Sequence, residues 1–274
     1  MDNILGINLQ LLKMDYFRKF FYLVPSVPRQ VNIEATNKCN LNCKMCKRKE
    51  LGISEEDIDF EKFKQIIDQL PLGVNGNGVK EISFGSYGES FIHPHIYEMI
   101  AYVKQKGLDV AITTNGFTFL EEKNRKKLLD SNMDALRVSI EAVQKRPSDA
   151  HPFSEKLLEA MEKLAQERNS AHSPLKLFFN TVVNVSNYDQ MIDIIKYAEK
   201  IGFDQVELIH LDKKGNDIKE YLPIEKEIAL YQQISPTVIE DLPQQQLTTI
   251  QNQANADFNR FDQIIDRRLK RINY

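Results

Sequence analysis

The sequence contains little cysteine, little net charge and no long apolar run. Its three cysteines, Cys39, Cys43 and Cys46, stand within eight residues, which excludes the disulfide framework of a secreted protein and favours a reducing, cytoplasmic setting. The net charge of −3 gives no reason to expect binding to nucleic acid or to a membrane surface. No stretch approaches the roughly 18 apolar residues of a membrane span. We therefore expect no stable membrane insertion.

From about residue 31 the chain alternates between two patterns. Short runs rich in β-branched residues predict strands at 31–36, 79–85, 108–116, 135–140, 175–184 and 205–211. Helical periodicity between them predicts helices at about 59–70, 95–106, 120–130, 154–168 and 187–201. Asp59 suits the start of the first helix, and Gly107 and Gly202 follow the second and the fifth. This alternation predicts an α/β fold with a parallel sheet, curled into a partial (β/α)6 TIM-like barrel.

The sequence on either side of the predicted barrel has a different character. Basic and apolar residues interleave near the N-terminus, which predicts a helical lead-in over residues 1–28. The barrel itself is predicted over residues 29–211. Residues 212–274 are polar and rich in Gln and Asn before a basic end, which predicts a C-terminal helical extension that contains no cysteine.

The three cysteines form a C-x3-C-x2-C loop, TNKCNLNCKMCKRK, directly after the first predicted strand. Active sites of barrel folds lie at this end of the strands. Three thiolates are one short of the four that close a structural zinc site or an ordinary iron–sulfur cluster. Two interpretations remain open at this point. One is a [4Fe–4S] cluster with one iron free to bind another ligand, and the other is a zinc site completed by His93 or His95.

Polar residues also gather at the corresponding ends of the next strands. The second strand is followed by SFGSYGESFIHP, in which Gly88 lets the backbone approach a ligand closely and Glu89 can receive an ammonium group. The third strand ends in TTNG with Asn115, the fourth in SIE with Ser139, and the fifth contains Asn180. Because the ends of parallel strands meet at one edge of a sheet, these residues predict a ligand site at the mouth of the barrel.

In combination these motifs resemble the radical S-adenosylmethionine (SAM) superfamily over about residues 29–211. IEATNKCNLNCKMC is similar to the cluster motif of that family, in which three cysteines hold a [4Fe–4S] cluster and SAM chelates the fourth iron. The resemblance implies that Cys39, Cys43 and Cys46 are the metal ligands and the catalytic core. It also implies that Met45 packs near the adenine of SAM.

The same resemblance implies roles for the other strand-end residues. Gly88 and Glu89 correspond to the motif that binds the SAM amino group, although Ser90 stands where the family usually has proline. Ser139 corresponds to a ribose contact. The remaining expected SAM neighbours are Asn115, Asn180 and, as a contact of the SAM carboxylate, Arg146.

Within the superfamily, the barrel most resembles enzymes with a C-terminal SPASM or twitch extension, many of which modify ribosomally made peptides. Such extensions hold auxiliary clusters, for which this sequence has no further cysteines. The resemblance implies cleavage of SAM to a 5′-deoxyadenosyl radical, which abstracts a hydrogen atom from the substrate, and a flavodoxin- or ferredoxin-like electron donor. The expected substrate is a peptide. A small metabolite or nucleotide is the alternative, and a non-catalytic zinc or iron–sulfur regulatory module is the second.

Overall fold

The computed structural model describes residues 27–49, 52, 54–72, 78–145, 153–210 and 226. The chain divides into two units, Met1–Tyr221 and Leu222–Tyr274, and the described residues lie in the first unit except for Lys226. The predicted helical lead-in, apart from residues 27 and 28, and the predicted C-terminal extension, apart from Lys226, lie outside the described residues. The domain boundaries at residues 28 and 211 stay predictions.

One six-stranded sheet forms the framework of the described chain, with its strands in the order of the sequence. The strands are β1 (Gln30–Ile33), β2 (Glu81–Phe84), β3 (Asp109–Thr114), β4 (Ala135–Ser139), β5 (Lys176–Val183) and β6 (Gln205–His210). All neighbours pair in parallel, and β1 and β6 form the two edges of the sheet. The predicted parallel α/β fold, an open partial barrel, is confirmed.

Helices follow the strands along the chain as predicted. They are α1 (Phe60–Asp68), α2 (Ile96–Gln105), α3 (Glu122–Leu129), α4 (Glu155–Ser170) and α5 (Met191–Ile201). The Asp59 carboxylate accepts a hydrogen bond from the Lys62 amide and caps α1. Gly202 ends α5 in the left-handed conformation with φ +82°, which glycine adopts without steric penalty. No described helix has both the length and the apolar character that crossing a bilayer requires.

Alternation along the strands separates a packed face from a hollow one. On β4 and β5, Leu136, Leu177 and Phe179 are fully buried, and Phe179 stacks on Tyr197 of α5 with ring centroids 6.3 Å apart. The intervening residues, such as Arg137, point to the other face and line a cavity inside the barrel. The apolar core therefore lies between sheet and helices, while the inner wall of the barrel is free to bind ligands.

Candidate functional site

The cysteine loop begins directly after β1 and is held by a segment that returns alongside it, residues 54–58. The Asn37 side chain donates to the Ser54 carbonyl over 2.7 Å and accepts from the Glu56 amide over 2.7 Å. The Lys38 ammonium pairs with Asp57 at 2.6 Å. These contacts fix the backbone immediately before Cys39. Asn37 thus anchors the cysteine loop by hydrogen bonding to two backbone groups of the segment 54–58.

The three thiols are half-buried, and burial opposes the ionisation of two of them, Cys43 and Cys39. Burial, followed by the charges of Cys46 and Cys39, raises the pKa of Cys43 to about 12. Burial also raises the pKa of Cys39. Thiolates in such a place form when a metal cation compensates their charge. Among the described residues no group of three His, Cys, Asp or Glu side chains is arranged around a single ion, whereas a [4Fe–4S] cluster takes each thiolate on a different iron atom.

A cavity of about 350 Å³ lies beside the thiols at the C-terminal ends of the strands. This volume is in the range of small-molecule sites. Its lining includes eight of the predicted site residues: Cys39, Cys43, Met45, Cys46, Gly88, Glu89, Asn115 and Ser139. Lys47, Tyr87, Thr114, Glu141 and Val182 are among the other residues that line it. Three soft sulfur donors together with polar and apolar walls fit an iron–sulfur cluster and SAM.

Gly88 brings the loop after β2 against the backbone of the cysteine loop. A Cβ atom at this position would lie 1.8 Å from the Thr36 carbonyl oxygen and 2.9 Å from the Asn37 Cα. The next amide, that of Glu89, donates to the Lys38 carbonyl over 2.8 Å. Gly88 is therefore required for close backbone approach, which brings the two loops together at the cavity.

The carboxylate of Glu89 joins the loop after β2 to the end of β3. One oxygen accepts from the Thr114 hydroxyl over 2.8 Å and from the Phe91 amide over 3.1 Å, and the other accepts from the Asn115 amide over 2.7 Å. Burial raises the pKa of Glu89, and these hydrogen bonds act in the opposite direction. Since one oxygen holds a single protein donor, it keeps the capacity to accept a hydrogen bond from a ligand.

Asn115 connects the third strand to the cysteine loop. Its side-chain amide donates to the Asn40 side chain over 2.7 Å, and its side-chain oxygen accepts from the Phe117 amide over 3.0 Å. Asn115 is buried although it is polar. The TTNG motif therefore acts in part by positioning the loop that contains the cysteines.

Glu141 at the end of the fourth strand is a buried acid beneath the same cavity. Its carboxylate accepts from the Val182 amide over 2.8 Å. Burial raises the pKa of Glu141 to about 8. The SIE motif indicated Glu141 only as a neighbour of Ser139, because a sequence pattern does not reveal which side chain is buried in the folded protein.

Two predicted site residues are not among those that line the cysteine cavity. Asn180 lines an adjoining cavity inside the barrel, which shares Ser86, Thr113 and Ile209 with the first. Arg146 lies outside the described residues. The ligand roles of all the predicted site residues remain predictions, whereas their grouping at one end of the sheet is observed.

A cysteine-bearing loop after the first strand of an open parallel barrel defines a class of iron–sulfur enzyme. The family model described as Radical SAM superfamily matches residues 33–222. The chain belongs to this superfamily. Its members use a [4Fe–4S] cluster and SAM, and the predicted enzyme class and cofactors are confirmed.

Two curated relatives and one solved structure show the range of proteins to which the chain is similar. It is 29% identical over 177 residues to the tungsten-containing aldehyde ferredoxin oxidoreductase cofactor-modifying protein of Pyrococcus furiosus, covering 63% of this chain and 48% of that protein. It is 25% identical over 186 residues to a probable GTP 3′,8-cyclase of Metallosphaera sedula, covering 68% and 56%. Streptococcus suis SuiB bound to S-adenosylmethionine superposes with a TM-score of 0.62 at 18% identity, covering 78% of this chain and 48% of SuiB. The chain spans about half the length of these proteins.

Proposed function

We propose that this protein is a radical SAM enzyme that abstracts a hydrogen atom from a peptide substrate. The observation that supports this most strongly is the single cavity that brings together Cys39, Cys43, Cys46, Glu89 and Asn115. The thiolates would hold the cluster, and the free acceptor capacity of Glu89 suits the SAM ammonium group. Held by these three thiolates and reduced by one electron, a [4Fe–4S] cluster would supply the electron for reductive cleavage of SAM.

The protein itself would orient the ligands and exclude water. Glu89 and Asn115 tie the loops after β2 and β3 to the cysteine loop through their hydrogen bonds. Met45 and Val182 contribute apolar surface to the cavity, which limits access of water to a reactive radical. These hydrogen bonds join side-chain and backbone groups of the chain itself.

Anaerobic reconstitution with iron and sulfide tests the proposal. We expect [4Fe–4S] absorbance and formation of 5′-deoxyadenosine from SAM under a strong reductant. Replacing Cys43 by alanine should abolish both signals, because only two cluster ligands would remain. Loss of neither signal in that variant, or zinc as the metal bound after purification, would contradict the proposal and favour a zinc regulatory module.

A small metabolite or nucleotide is the second candidate substrate. The relative named as a probable GTP 3′,8-cyclase favours it, while SuiB bound to its precursor peptide SuiA, with a TM-score of 0.63, favours a peptide. Among the described residues no further strand pairs with β1 or β6, and a sheet that is not closed would suit a bulky substrate. Mass spectrometry of candidate peptides and of GTP after incubation with the reduced enzyme distinguishes the two.

The chemistry also suggests a partner and a setting. Reduction of the cluster needs a one-electron donor, and we propose a flavodoxin- or ferredoxin-like protein. The unpaired thiols described here suit a reducing compartment such as the cytoplasm.

A further inference from the structure

The inner wall of the barrel is polar and lines a second, open cavity of about 540 Å³, which we call the barrel cavity. Each of the six strands contributes at least one polar residue to it; these include Asn32, Ser83, Thr113, Arg137, Asn180 and Glu207. Closed barrels of this general type are filled at this level by layers of branched apolar side chains. A polar interior that adjoins the cavity beside the cysteines is therefore a candidate site for binding a ligand.

Asn180 is a hydrogen-bonding group without a partner in this wall. Its side-chain oxygen is buried and accepts no hydrogen bond from the part of the chain that the structure describes. Its side-chain nitrogen donates to no described residue. Leaving a buried polar atom unpaired destabilises a protein unless a ligand satisfies it. Asn180 thus offers an acceptor and is placed in the lining of a cavity large enough to hold a ligand.

Arg137 provides the complementary donors. Its Nε donates to the Glu207 carboxylate at 3.0 Å, and its guanidinium group lies over the Phe178 ring. The two Nη nitrogens donate to no described residue. Asn180 and Glu207 are opposite each other in the register of β5 and β6. Arg137 donates to the same Glu207 carboxylate, so the three polar side chains are neighbours on one face of the sheet.

The charges of the barrel cavity favour an uncharged ligand. Arg137 and Glu207 are the charged residues of its described lining, and they neutralise each other. Binding a nucleoside triphosphate needs a surplus of Arg or Lys to offset the phosphates, and this wall has none. A planar amide, with one N–H donor and one carbonyl acceptor, matches the free acceptor of Asn180 and the free donors of Arg137.

The structure assigns the barrel cavity as the substrate subsite, with Asn180 and Arg137 binding an uncharged amide group, as found in a peptide segment. This assignment rests on the proposed function and narrows it to an amide-bearing substrate. It also implies that the unpaired Asn180 oxygen destabilises the folded protein while it binds the ligand. The amide side chain of Asn180 makes no hydrogen bond to any residue that the structure describes, so its proposed role is to bind the ligand.

Thermal unfolding of Asn180→Leu tests the first half of the assignment. The substitution removes an unpaired buried acceptor at nearly constant volume, so we expect a Tm equal to or higher than that of the wild type. A merely structural asparagine would lower the Tm by several degrees instead. The matched control is Gln105→Leu on the exposed end of α2, which should leave both Tm and ligand binding unchanged.

Binding of a defined probe tests the second half. The probe is the blocked dipeptide N-acetyl-alanyl-alanine amide, observed by saturation-transfer NMR with the anaerobically reconstituted protein in the presence of SAM. We expect saturable binding by the wild type and about tenfold weaker binding by Asn180→Leu and by Arg137→Met. Absence of binding, or equal binding by the variants, would overturn the assignment. So would GTP binding that the same two substitutions weaken.

The readouts separate this inference from the proposed function. Cluster absorbance should persist in Asn180→Leu, because that side chain does not line the cavity that contains the three cysteines. Loss of cluster and deoxyadenosine in the wild type would refute the proposed function. A normal cluster without dipeptide binding would refute only the amide subsite.

Discussion

Replacing Gly88 by alanine tests how the cavity is assembled. The added Cβ would lie 1.8 Å from the Thr36 carbonyl oxygen, whereas carbon and carbonyl oxygen normally approach to about 3.3 Å. The loop after β2 must therefore retreat by about 1.5 Å from the cysteine loop. Both sides of the contact are backbone, so no flexible side chain can move aside.

The size of the effect follows from the contacts that the retreat disturbs. Overpacking of this kind costs about 1–3 kcal/mol, and the hydrogen bond from the Glu89 amide to the Lys38 carbonyl contributes about 1 kcal/mol more. We expect the free energy of unfolding of Gly88→Ala to fall by about 3 kcal/mol. A displacement of this size at a reacting centre lowers the rate about 100-fold.

Urea unfolding and the rate of 5′-deoxyadenosine formation measure the two effects separately. Gly107→Ala is the matched control, because a Cβ there has nothing within 4 Å and meets only the strain of a φ of +73°. It should lower stability by about 1 kcal/mol and leave the rate unchanged. Wild-type stability and rate in Gly88→Ala would refute the close-approach argument.

Three further substitutions address the buried polar groups. In Glu89→Gln the new NH₂ group faces a protein donor in either orientation of the amide, because both carboxylate oxygens of Glu89 accept hydrogen bonds. We expect the free energy of unfolding to fall by about 2 kcal/mol in a urea titration. An unchanged urea midpoint would contradict these hydrogen bonds. Arg125→Met leaves Glu167 unpaired and two carbonyls without a donor, so we expect a loss of about 3 kcal/mol by the same method, and a loss below 1 kcal/mol would count against it. The pKa of Glu141 rises from 4.5 to about 8 on folding, so the folded state binds this proton more tightly and wild-type stability should fall by up to about 5 kcal/mol as pH rises from 5 to above 8. Glu141→Gln should remove this fall; the same pH profile in both proteins would show that Glu141 does not cause it.

The order of strands and helices could be predicted from the sequence because it depends on local patterns. Alternating apolar residues and cap residues such as Asp59 act within a few positions, and the six predicted strands match the observed ones to within three residues at each end. The last helix, predicted at 187–201, begins at Met191 instead, since the short 3₁₀ turn Tyr188–Gln190 precedes the α-helical geometry.

From the sequence, three clustered thiolates and no fourth left a [4Fe–4S] cluster and a zinc site open, and the resemblance of the strand-end motifs to the radical SAM superfamily favoured the cluster. Only the tertiary structure decided which groups the polar residues at the strand ends contact. Glu89 and Asn115 make hydrogen bonds within the protein, and Gly88 allows close contact between two backbone segments. Asn180, which the family pattern predicts as a SAM neighbour, lines the barrel cavity, and its contact with SAM stays a prediction. Burial and partners depend on residues distant in the chain, and no local pattern specifies them.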